Sequence, residues 1–394
     1  MSQIIAVTGN DAAAEAMRQI NPDVVAAYPI TPQTELMHKF ADFVADGLVD
    51  TQLVQVESEH SAMSASVGAA AAGARAMTAT SSQGLALMWE ILYVAASLRL
   101  PIVMPVVNRA LNAPLNIHCD HSDTMGARDA GWIQLFSENS QEAYDNTIMA
   151  VRIAEHKDVL LPVMVTLDGF ILSHTLERVE ILEDQEVKDF IGEYQPLYPL
   201  LDVDHPITMG PVDLPDWYFE HKRQEIEAEN NALRVVEEVS REFGKLTGRN
   251  YGILEEYRME DAERAVIVLG STAGTAKVAV DQLRKKGERV GLVKIRAFRP
   301  FPYEHIAKAL SKVKVAAVLD RAVAFGSLGG PVYDEVRSAL YGARRSDIKV
   351  INYIYGLGGR DVTIEHIEQA YAELNEILKT GRVEKWVGYL GLRE

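Results

Sequence analysis

The sequence predicts an α/β fold in two units, the first of which contains a parallel sheet. From Ile4 to Leu167, short runs of β-branched residues alternate with longer helical patterns, as expected for strands joined by crossover helices. A second alternation of this kind starts at Ala265. A proline-rich stretch separates the two, and 394 residues are too many for one ordinary hydrophobic core.

In the first unit, each predicted strand is followed by a turn and a helix. Asn10 and Asp11 supply a cap for the first helix, and Pro32 suits the start of the second. The predicted strands are Ile4–Thr8, Val24–Ile30, Gln52–Val56, Ala76–Thr80, Pro101–Val107 and Leu161–Leu167. The predicted helices are Asp11–Ile20, Gln33–Ala45, Glu59–Ala74, Leu85–Ala96 and Gln141–Glu155. Val106–Trp132 has no clear periodicity, and long loops at this edge of a sheet often carry function.

A connector is predicted over residues 177–250, since five prolines lie between Pro196 and Pro215. Within it, Tyr218–Thr247 is a charged helix that we interpret as solvated or as part of an interface. In the second unit, we predict a strand from Ala265 and a strand that stops at the prolines near 300. Two further strands are predicted within 313–321 and 347–359, followed by a helix at Thr363–Leu378. The turn Gly270–Gly274 lacks the dinucleotide-binding spacing, and phosphate binding there is the minor alternative to a plain turn.

Composition excludes several classes of function. The formal charge of −17 argues against nucleic acid and anionic membranes as partners. No apolar run reaches the ~20 residues of a membrane-spanning helix, and the amino terminus has no secretory pattern. Cys119 is the single cysteine, so this chain can form no intrachain disulfide and cannot hold an iron–sulfur cluster alone. A cytoplasmic location is therefore expected.

Thr31 is the first candidate site residue. It lies between Pro29 and Pro32, which restrict the backbone, at the carboxyl end of a predicted strand, where α/β proteins bind ligands. The alternative is a rigid connection in which Thr31 caps the next helix.

Glu59 and Arg109 are the next candidates. Glu59 starts a helix so rich in Ala, Ser and Gly that another group must approach it closely. It is either an acidic first turn of a packed core helix or a carboxylate that awaits a proton-bearing nitrogen of a ligand. Arg109 closes an apolar strand, as a carboxylate or phosphate anchor or as an ordinary solvated arginine.

The segment His118–Asp123 contains potential metal ligands, but they lack the paired spacing of structural zinc sites. We favour a polar loop that forms hydrogen bonds, with a subunit contact as one location, and expect no metal ligand in this chain. The sequence has no nucleophile elbow, zinc-protease or Walker A motif. It also has no Gly-Asp-Gly segment followed about thirty residues later by paired asparagines.

Together these segments closely resemble the alpha subunits of the multi-subunit 2-oxoacid:ferredoxin oxidoreductases. The resemblance runs from end to end, and the order and spacing of its motifs make it specific. The motifs are AAYPITPQTELM, VQVESEHSAM, TATSSQGLALMWE, PIVMPVVNRA, HSDTMGARDAGW, DGFILSHT, IRAFRPFP, LDR and GLGGRD.

The resemblance implies a thiamine-diphosphate-binding domain of the pyrimidine type at 1–240 and a transketolase carboxyl-terminal-like domain at 251–394. It implies that thiamine diphosphate is shared with a beta subunit, which carries the missing magnesium–diphosphate motif. The 4Fe-4S clusters would be held by beta and delta subunits, and a gamma subunit would be associated with coenzyme A. Ferredoxin is the implied electron acceptor, in anaerobic metabolism.

The resemblance also assigns roles to residues. Glu59 corresponds to the glutamate that hydrogen-bonds N1′ of the aminopyrimidine, and Pro29 belongs to the same cofactor-binding segment. Arg109 corresponds to the arginine that binds the substrate carboxylate, Thr31 to a hydroxyl donor beside it, and Asn112 to a substrate-binding residue.

The implied reaction is the reversible conversion of pyruvate, coenzyme A and oxidised ferredoxin to acetyl-CoA, carbon dioxide and reduced ferredoxin. The same chemistry on 2-oxoisovalerate, 2-oxoglutarate or oxalate is the main alternative. A dicarboxylate would require a second cation near Thr31 and Asn112, and Arg128 is the one that could fold back there. A non-catalytic scaffold subunit is a further alternative.

Overall fold

The computed structural model describes residues 3–393, and within them fifteen strands and thirteen α-helices follow one another along the chain. The strands are β1 (Gln3–Val7), β2 (Val24–Ala27), β3 (Gln52–Gln55), β4 (Ala76–Met77), β5 (Val103–Asn108), β6 (Ile133–Phe136), β7 (Val163–Asp168), β8 (Glu177–Ile181), β9 (Leu254–Tyr257), β10 (Arg264–Val268), β11 (Val290–Ile295), β12 (Ala297–Arg299), β13 (Val315–Asp320), β14 (Lys349–Tyr355) and β15 (Val387–Leu390). The helices are α1 (Gly9–Ile20), α2 (Thr34–Ala45), α3 (Glu59–Ala72), α4 (Ser82–Leu87), α5 (Trp89–Ser97), α6 (Ser122–Gly126), α7 (Ser140–Ala154), α8 (Asp184–Ile191), α9 (Tyr218–Thr247), α10 (Thr272–Lys285), α11 (Tyr303–Ala309), α12 (Pro331–Gly342) and α13 (Ile364–Thr380).

The described strands form two large sheets and one small ribbon. The amino-terminal sheet has the order β12-β6-β7-β5-β4-β2-β3 and is parallel except for β12. The carboxyl-terminal sheet has the order β15-β14-β13-β10-β11-β9 and is parallel except for β9. This architecture confirms the predicted α/β class.

The amino-terminal sheet is buried on both faces. All residues of its central strands β5 and β7 are buried, as crossover helices on both sides require. Helices α1, α2, α7 and α9 supply the hydrophobic core on one face, and α3 and α5 supply it on the other. The carboxyl ends of β2, β4 and β5 therefore lie side by side at one edge of a rigid layer.

The first predicted strand exists but lies outside the parallel sheet. β1 pairs with β8 as an antiparallel ribbon, in the register Gln3 opposite Ile181. Its residues are mostly exposed or half-buried, unlike the continuously buried strands of a parallel sheet. The prediction of a strand was correct, but its implied place in the sheet was wrong.

The sequence did not predict β6 or the separate strand β12. We expected one strand up to the prolines near 300, but β11 ends at Ile295 and β12 crosses to pair with β6. Arg296 fixes this crossing, because its buried guanidinium donates to Asn146 Oδ1 (2.6 Å), Ser240 Oγ (2.5 Å) and the Gly252 carbonyl (2.8 Å). The division into residues 1–240 and 251–394 stays a prediction, with one strand of the later segment built into the earlier sheet.

The charged helix α9 has the bounds that we predicted, but it is not simply solvated. Its second half buries Val235, Val239 and Phe243 in the core of the first unit. A hydrophobic stripe on one face explains this packing, while its other face carries the charges. None of the helices in residues 3–393 is long and apolar enough to cross a membrane.

Candidate active site

Three predicted site residues from separate segments meet at the carboxyl edge of the amino-terminal sheet. Thr31 follows β2, Glu59 begins α3, and Arg109 follows β5. Arg109 Nη1 donates to the Thr31 carbonyl at 2.8 Å, and the Glu59 charge acts on the pKa of Arg109. This edge is where open α/β sheets bind ligands.

The Thr31 segment is held by hydrogen bonds of the two residues that follow Thr31. Asn10 Nδ2 donates to the Pro32 carbonyl (2.8 Å), and Gln33 Nε2 donates to the Ala79 carbonyl (3.1 Å). Thr31 and Pro29 are exposed, and no residue within 3–393 hydrogen-bonds the Thr31 hydroxyl. The alternative that Thr31 caps a helix is wrong, because α2 begins at Thr34 with Gln33 as its cap residue.

Glu59 is buried, with 6% of its surface exposed, at the amino-terminal end of α3. Ser58 caps this helix by accepting from the Ser61 amide at 3.2 Å. A Cβ atom on Gly84 would lie 2.7 Å from Glu59 Oε1 and 2.5 Å from Thr80 Oγ1, so only glycine fits there. This close approach depends on the small size of Gly84 in α4 and not on the small residues of α3.

The Glu59 carboxylate receives no hydrogen bond from the described residues. The Thr80 hydroxyl, which borders the same Gly84 position as the Glu59 carboxylate, is buried and also has no hydrogen-bond partner among these residues. Buried polar groups are normally hydrogen-bonded, because desolvation without compensation is unfavourable. The group of unpaired polar atoms therefore favours the ligand-binding interpretation of Glu59 over that of a plain core helix.

Arg109 is also buried, with 7% exposed, so it is not the ordinary solvated arginine of the alternative. Its Nη1 and Nη2 donate to the Thr31 carbonyl and to Gln83 Oε1 (3.0 Å). Burial lowers the pKa of Arg109, and the charges of Asp123 and Glu59 oppose this. Arginine nevertheless stays protonated, which leaves a desolvated positive charge beside Thr31.

Asn112 lies in the loop after β5, but its side chain serves the loop itself. Its Oδ1 accepts from the Asn116 amide at 3.1 Å, and its carbonyl accepts from Gln83 Nε2 at 3.3 Å. The structure thus links Asn112 to Arg109 through Gln83. Its predicted role in substrate binding stays a prediction.

Arg128, considered above as a second cation, lies elsewhere. Its Nη1 donates to the Met125 carbonyl at 2.8 Å, and its side chain lines a groove of about 1420 Å³ between α5, α9 and α11. None of the predicted site residues lines this groove. Arg128 therefore supplies no positive charge beside Thr31.

The loop His118–Asp123 forms hydrogen bonds as predicted, and some of its partners belong to the second unit of the same chain. A subunit contact at this loop stays a prediction. His121 Nε2 lies 2.7 Å from Asp168 Oδ1, and Arg321 Nη1 is 3.1 Å from Asp168 Oδ2. Ser271, in the glycine turn after β10, donates its amide to the same carboxylate at 3.1 Å. The donors of that turn bind Asp168, so the phosphate interpretation has no support.

The potential metal-ligand atoms of Cys119, His121 and Asp168 lie within 4.8 Å of one another. The charge of the buried Asp168 is balanced by its neighbours. Burial alone would raise the pKa of Asp168, but His121, Arg321 and Ser271 outweigh it and hold that pKa well below its usual range. The Cys119 thiol is fully buried, and burial raises its pKa well above the usual value. The cluster is thus an ion-paired joint between the two sheets.

The glycines of GLGGRD belong to the same joint. The Gly359 amide donates to the Cys119 carbonyl at 2.7 Å, and the φ of +80° at Gly359 is a left-handed conformation that favours glycine. A Cβ atom on Gly359 would lie 2.4 Å from the Cβ of His118. This part of the motif therefore contributes to the contact between the two units.

Two residues that hold Arg109 were not identified from the sequence. Gln83 contacts its guanidinium, and Asp123 accepts from its backbone amide at 3.0 Å. Both lie within motifs of the family resemblance, but no sequence pattern distinguishes either residue from its polar neighbours. The polar character of the loop after β5 was the only available signal for Asp123.

Comparison with known protein families assigns this chain to one of them. The model "Pyruvate flavodoxin/ferredoxin oxidoreductase, thiamine diP-bdg" matches residues 15–241. The chain belongs to this family. The model "Pyruvate:ferredoxin oxidoreductase core domain II" matches residues 262–367, so both units have family counterparts. The first unit is accordingly a thiamine-diphosphate-binding domain of this family.

Relatives in this family match nearly the full chain. "Pyruvate synthase subunit PorA" of Thermotoga maritima is 60% identical over 99% of this chain and 98% of the relative. The protein of the same name from Methanocaldococcus jannaschii is 50% identical over 93% and 94%. "Ketoisovalerate oxidoreductase subunit VorA" of Pyrococcus abyssi is 44% identical over 98% and 97%.

Solved structures share the fold. A 2-oxoglutarate:ferredoxin oxidoreductase from Magnetococcus marinus matches with a TM-score of 0.72 at 24% identity, over 94% of this chain and 65% of that one. A split-gene transketolase matches with a TM-score of 0.57 at 11% identity, over 96% and 100%. At these identities the likeness concerns the fold alone, and it agrees with the two-unit α/β architecture.

Proposed function

We propose that this chain is the alpha subunit of a 2-oxoacid:ferredoxin oxidoreductase that acts on pyruvate. The reaction is pyruvate with coenzyme A and oxidised ferredoxin to acetyl-CoA, carbon dioxide and reduced ferredoxin, and it is reversible. The observation that carries the proposal is the carboxylate of Glu59, a residue with 6% of its surface exposed, which has no hydrogen-bond partner within 3–393 and whose charge acts on the buried Arg109. The 60% identity to a pyruvate synthase subunit supports pyruvate as the substrate.

The residues at the sheet edge fit the aminopyrimidine end of thiamine diphosphate. The Glu59 carboxylate, near the unpaired hydroxyl of Thr80, needs a donor that a protonated ring nitrogen would supply. Pro29 and Thr31 are exposed and therefore accessible to a ligand. When bound, thiamine diphosphate supplies the carbon nucleophile and the electron sink. Glu59 holds and exchanges a proton at N1′.

Arg109 and Thr31 bind and orient the 2-oxo acid. A carboxylate is attracted by the desolvated Arg109 charge, and the free Thr31 hydroxyl donates a further hydrogen bond. Asn112 lies in the loop after β5, close to Arg109 in the sequence, and would contact the substrate from this loop. Within residues 3–393, Arg109 donates to the Thr31 carbonyl while Arg128 is directed elsewhere, and this arrangement fits a monocarboxylate such as pyruvate better than 2-oxoglutarate or oxalate.

Partner chains supply what this chain lacks. A beta subunit would carry Mg²⁺ and bind the diphosphate, because the Gly-Asp-Gly motif is absent here. The 4Fe-4S clusters would lie in beta and delta subunits, since the lone Cys119 is buried and cannot hold one. A gamma subunit would complete the complex and assist with coenzyme A, in the cytoplasm. A purely scaffolding role does not account for the unpaired polar atoms around Glu59.

A panel of 2-oxo acids tests the substrate. We expect the co-purified complex, with coenzyme A and a low-potential dye, to have its highest kcat/KM with pyruvate. The second candidate is 2-oxoisovalerate, because ketoisovalerate oxidoreductase subunits are 44% identical to this chain. A higher kcat/KM for 2-oxoisovalerate than for pyruvate would identify 2-oxoisovalerate as the substrate. The proposed reaction chemistry would be the same.

Replacing the carboxylate anchor should weaken substrate binding. We expect Arg109→Ala to raise the KM for pyruvate about 10- to 150-fold, because one charge-assisted contact contributes ~1.5–3 kcal/mol. Arg128→Ala is the matched control and should leave this KM unchanged, since its side chain lies in the groove by α9. Initial rates over a range of pyruvate concentrations measure both, and an unchanged KM in Arg109→Ala contradicts carboxylate anchoring.

A further inference from the structure

Asp123, at the start of α6, has a buried carboxylate that accepts four hydrogen bonds. Its Oδ2 accepts from the amides of Ser82 (3.1 Å) and Arg109 (3.0 Å). Its Oδ1 accepts from Asn108 Nδ2 (2.9 Å) and the Thr124 amide (2.8 Å). One side chain thus joins the end of β5 to the start of α4.

These two segments carry Arg109 itself and one of the two groups that its guanidinium contacts. Arg109 itself follows β5, and Gln83, which accepts from its Nη2, is the second residue of α4. Ser82 Oγ also donates to the Ala110 carbonyl at 2.6 Å, so the two segments are bonded directly. Asp123 lies behind this pair and contacts the backbone of both.

Ser82 shows that the turn needs such support. Its φ of +44° is in the left-handed region, which is unfavourable for a residue with a Cβ atom. Strained conformations persist where several surrounding contacts fix them. The Ser82 amide contact to Asp123 is one of those contacts, and the next residue along the chain is Gln83.

The hydrogen-bond donors around Asp123 require a carboxylate rather than an amide at this position. All four partners of Asp123 are donors, and an ionised carboxylate is a pure acceptor. An asparagine would direct its NH₂ group at two of these donors. Burial raises the pKa of Asp123 to about 6, and its four hydrogen bonds oppose that rise.

We propose that Asp123 is a positioning residue for the 2-oxo acid site. It fixes Arg109 and Gln83 as one unit, so that the guanidinium stays beside Thr31 and receives the substrate carboxylate. This inference rests on the proposed function, in which Arg109 binds that carboxylate.

Steady-state kinetics of the assembled complex test the proposal. We expect Asp123→Asn to raise the KM for pyruvate at least about 10-fold with kcat changed less than about 3-fold, because substrate binding and not the proton exchange at Glu59 is disturbed. Bound thiamine diphosphate per complex should stay at the wild-type level. Asp120→Asn is the matched control, since Asp120 is buried in the same loop and bonds Ser122 without contacting Arg109.

The split between KM and kcat distinguishes positioning from general structural damage, because a damaged fold would lower the amount of active complex without raising the KM of the molecules that remain active. If Asp123→Asn does not assemble, Asp123→Glu retains the charge but displaces the carboxylate by one methylene, and it should raise KM in the same way. An unchanged KM, or equal changes in KM for the Asp120 and Asp123 variants, overturns the proposal.

Arg109→Ala separates this inference from the function on which it rests. If Arg109→Ala raises KM and Asp123→Asn does not, positioning by Asp123 is refuted and the anchoring role of Arg109 stands. If Arg109→Ala leaves KM unchanged, the assigned role of Arg109 fails, and the positioning proposal fails with it.

Discussion

Glu59→Gln should abolish decarboxylation while leaving the complex assembled. The substitution keeps the shape of a side chain that is packed against Gly84, and it breaks no hydrogen bond within residues 3–393. It removes the group that exchanges a proton with N1′, and general acid–base catalysis contributes ~10²–10⁴-fold to rates. We expect kcat for pyruvate to fall at least about 100-fold, measured by dye reduction in the assembled complex.

Glu57→Gln is the matched control for this experiment. Glu57 lies two residues away and is exposed, and it contacts Ser61 on the outer side of the same helix start. Its replacement should leave kcat and thiamine diphosphate content unchanged. Full activity in Glu59→Gln, with normal cofactor content, would refute the assigned role of Glu59.

Lys294→Met should strongly destabilise the junction between the two sheets. Lys294 Nζ lies 2.5 Å from Glu142, 2.7 Å from Glu138 and 3.1 Å from Glu255, and its side chain is almost fully buried. Burial alone would lower the pKa of Lys294, but these carboxylates outweigh it and raise that pKa. Removing one partner of a buried ionic group leaves uncompensated charge, so the free energy of unfolding should fall by ~3–5 kcal/mol at pH 7.

Urea denaturation of the purified protein measures this loss, with Lys286→Met as the control. Lys286 pairs with Glu368 on the surface, with 60% of its side chain exposed, and such pairs contribute at most ~1 kcal/mol. In a protein that already carries Glu142→Gln, Lys294→Met should destabilise less, because fewer buried charges are left unpaired. Equal losses for Lys294→Met and Lys286→Met would contradict a buried ionic junction.

Local patterns predicted many of the elements and the place of the candidate site. The alternation of apolar runs and helical periods predicted the α/β class, and the bounds of α9 agreed with its charged periodic segment. Thr31 and Arg109 were selected because each follows an apolar strand, and parallel strands end at one edge of a sheet. Glu59 was selected from the small-residue helix, although its close contact is with Gly84 of α4.

Only the tertiary structure decided how the two units join and what holds the site residues. The crossing of β12 depends on Arg296 and Asn146, and the ion-paired joint depends on Asp168 and Arg321. These partners are about 150 residues apart, so no short-range period or spacing relates them. Asp123 is a further example of a residue that only the tertiary structure identifies. Its proposed role depends on hydrogen bonds to two backbone segments that are separate in the sequence. The sequence by itself determined which residues stand at the sheet edge, because that follows from local periodicity. Their orientation was decided by contacts that form only after the chain has folded.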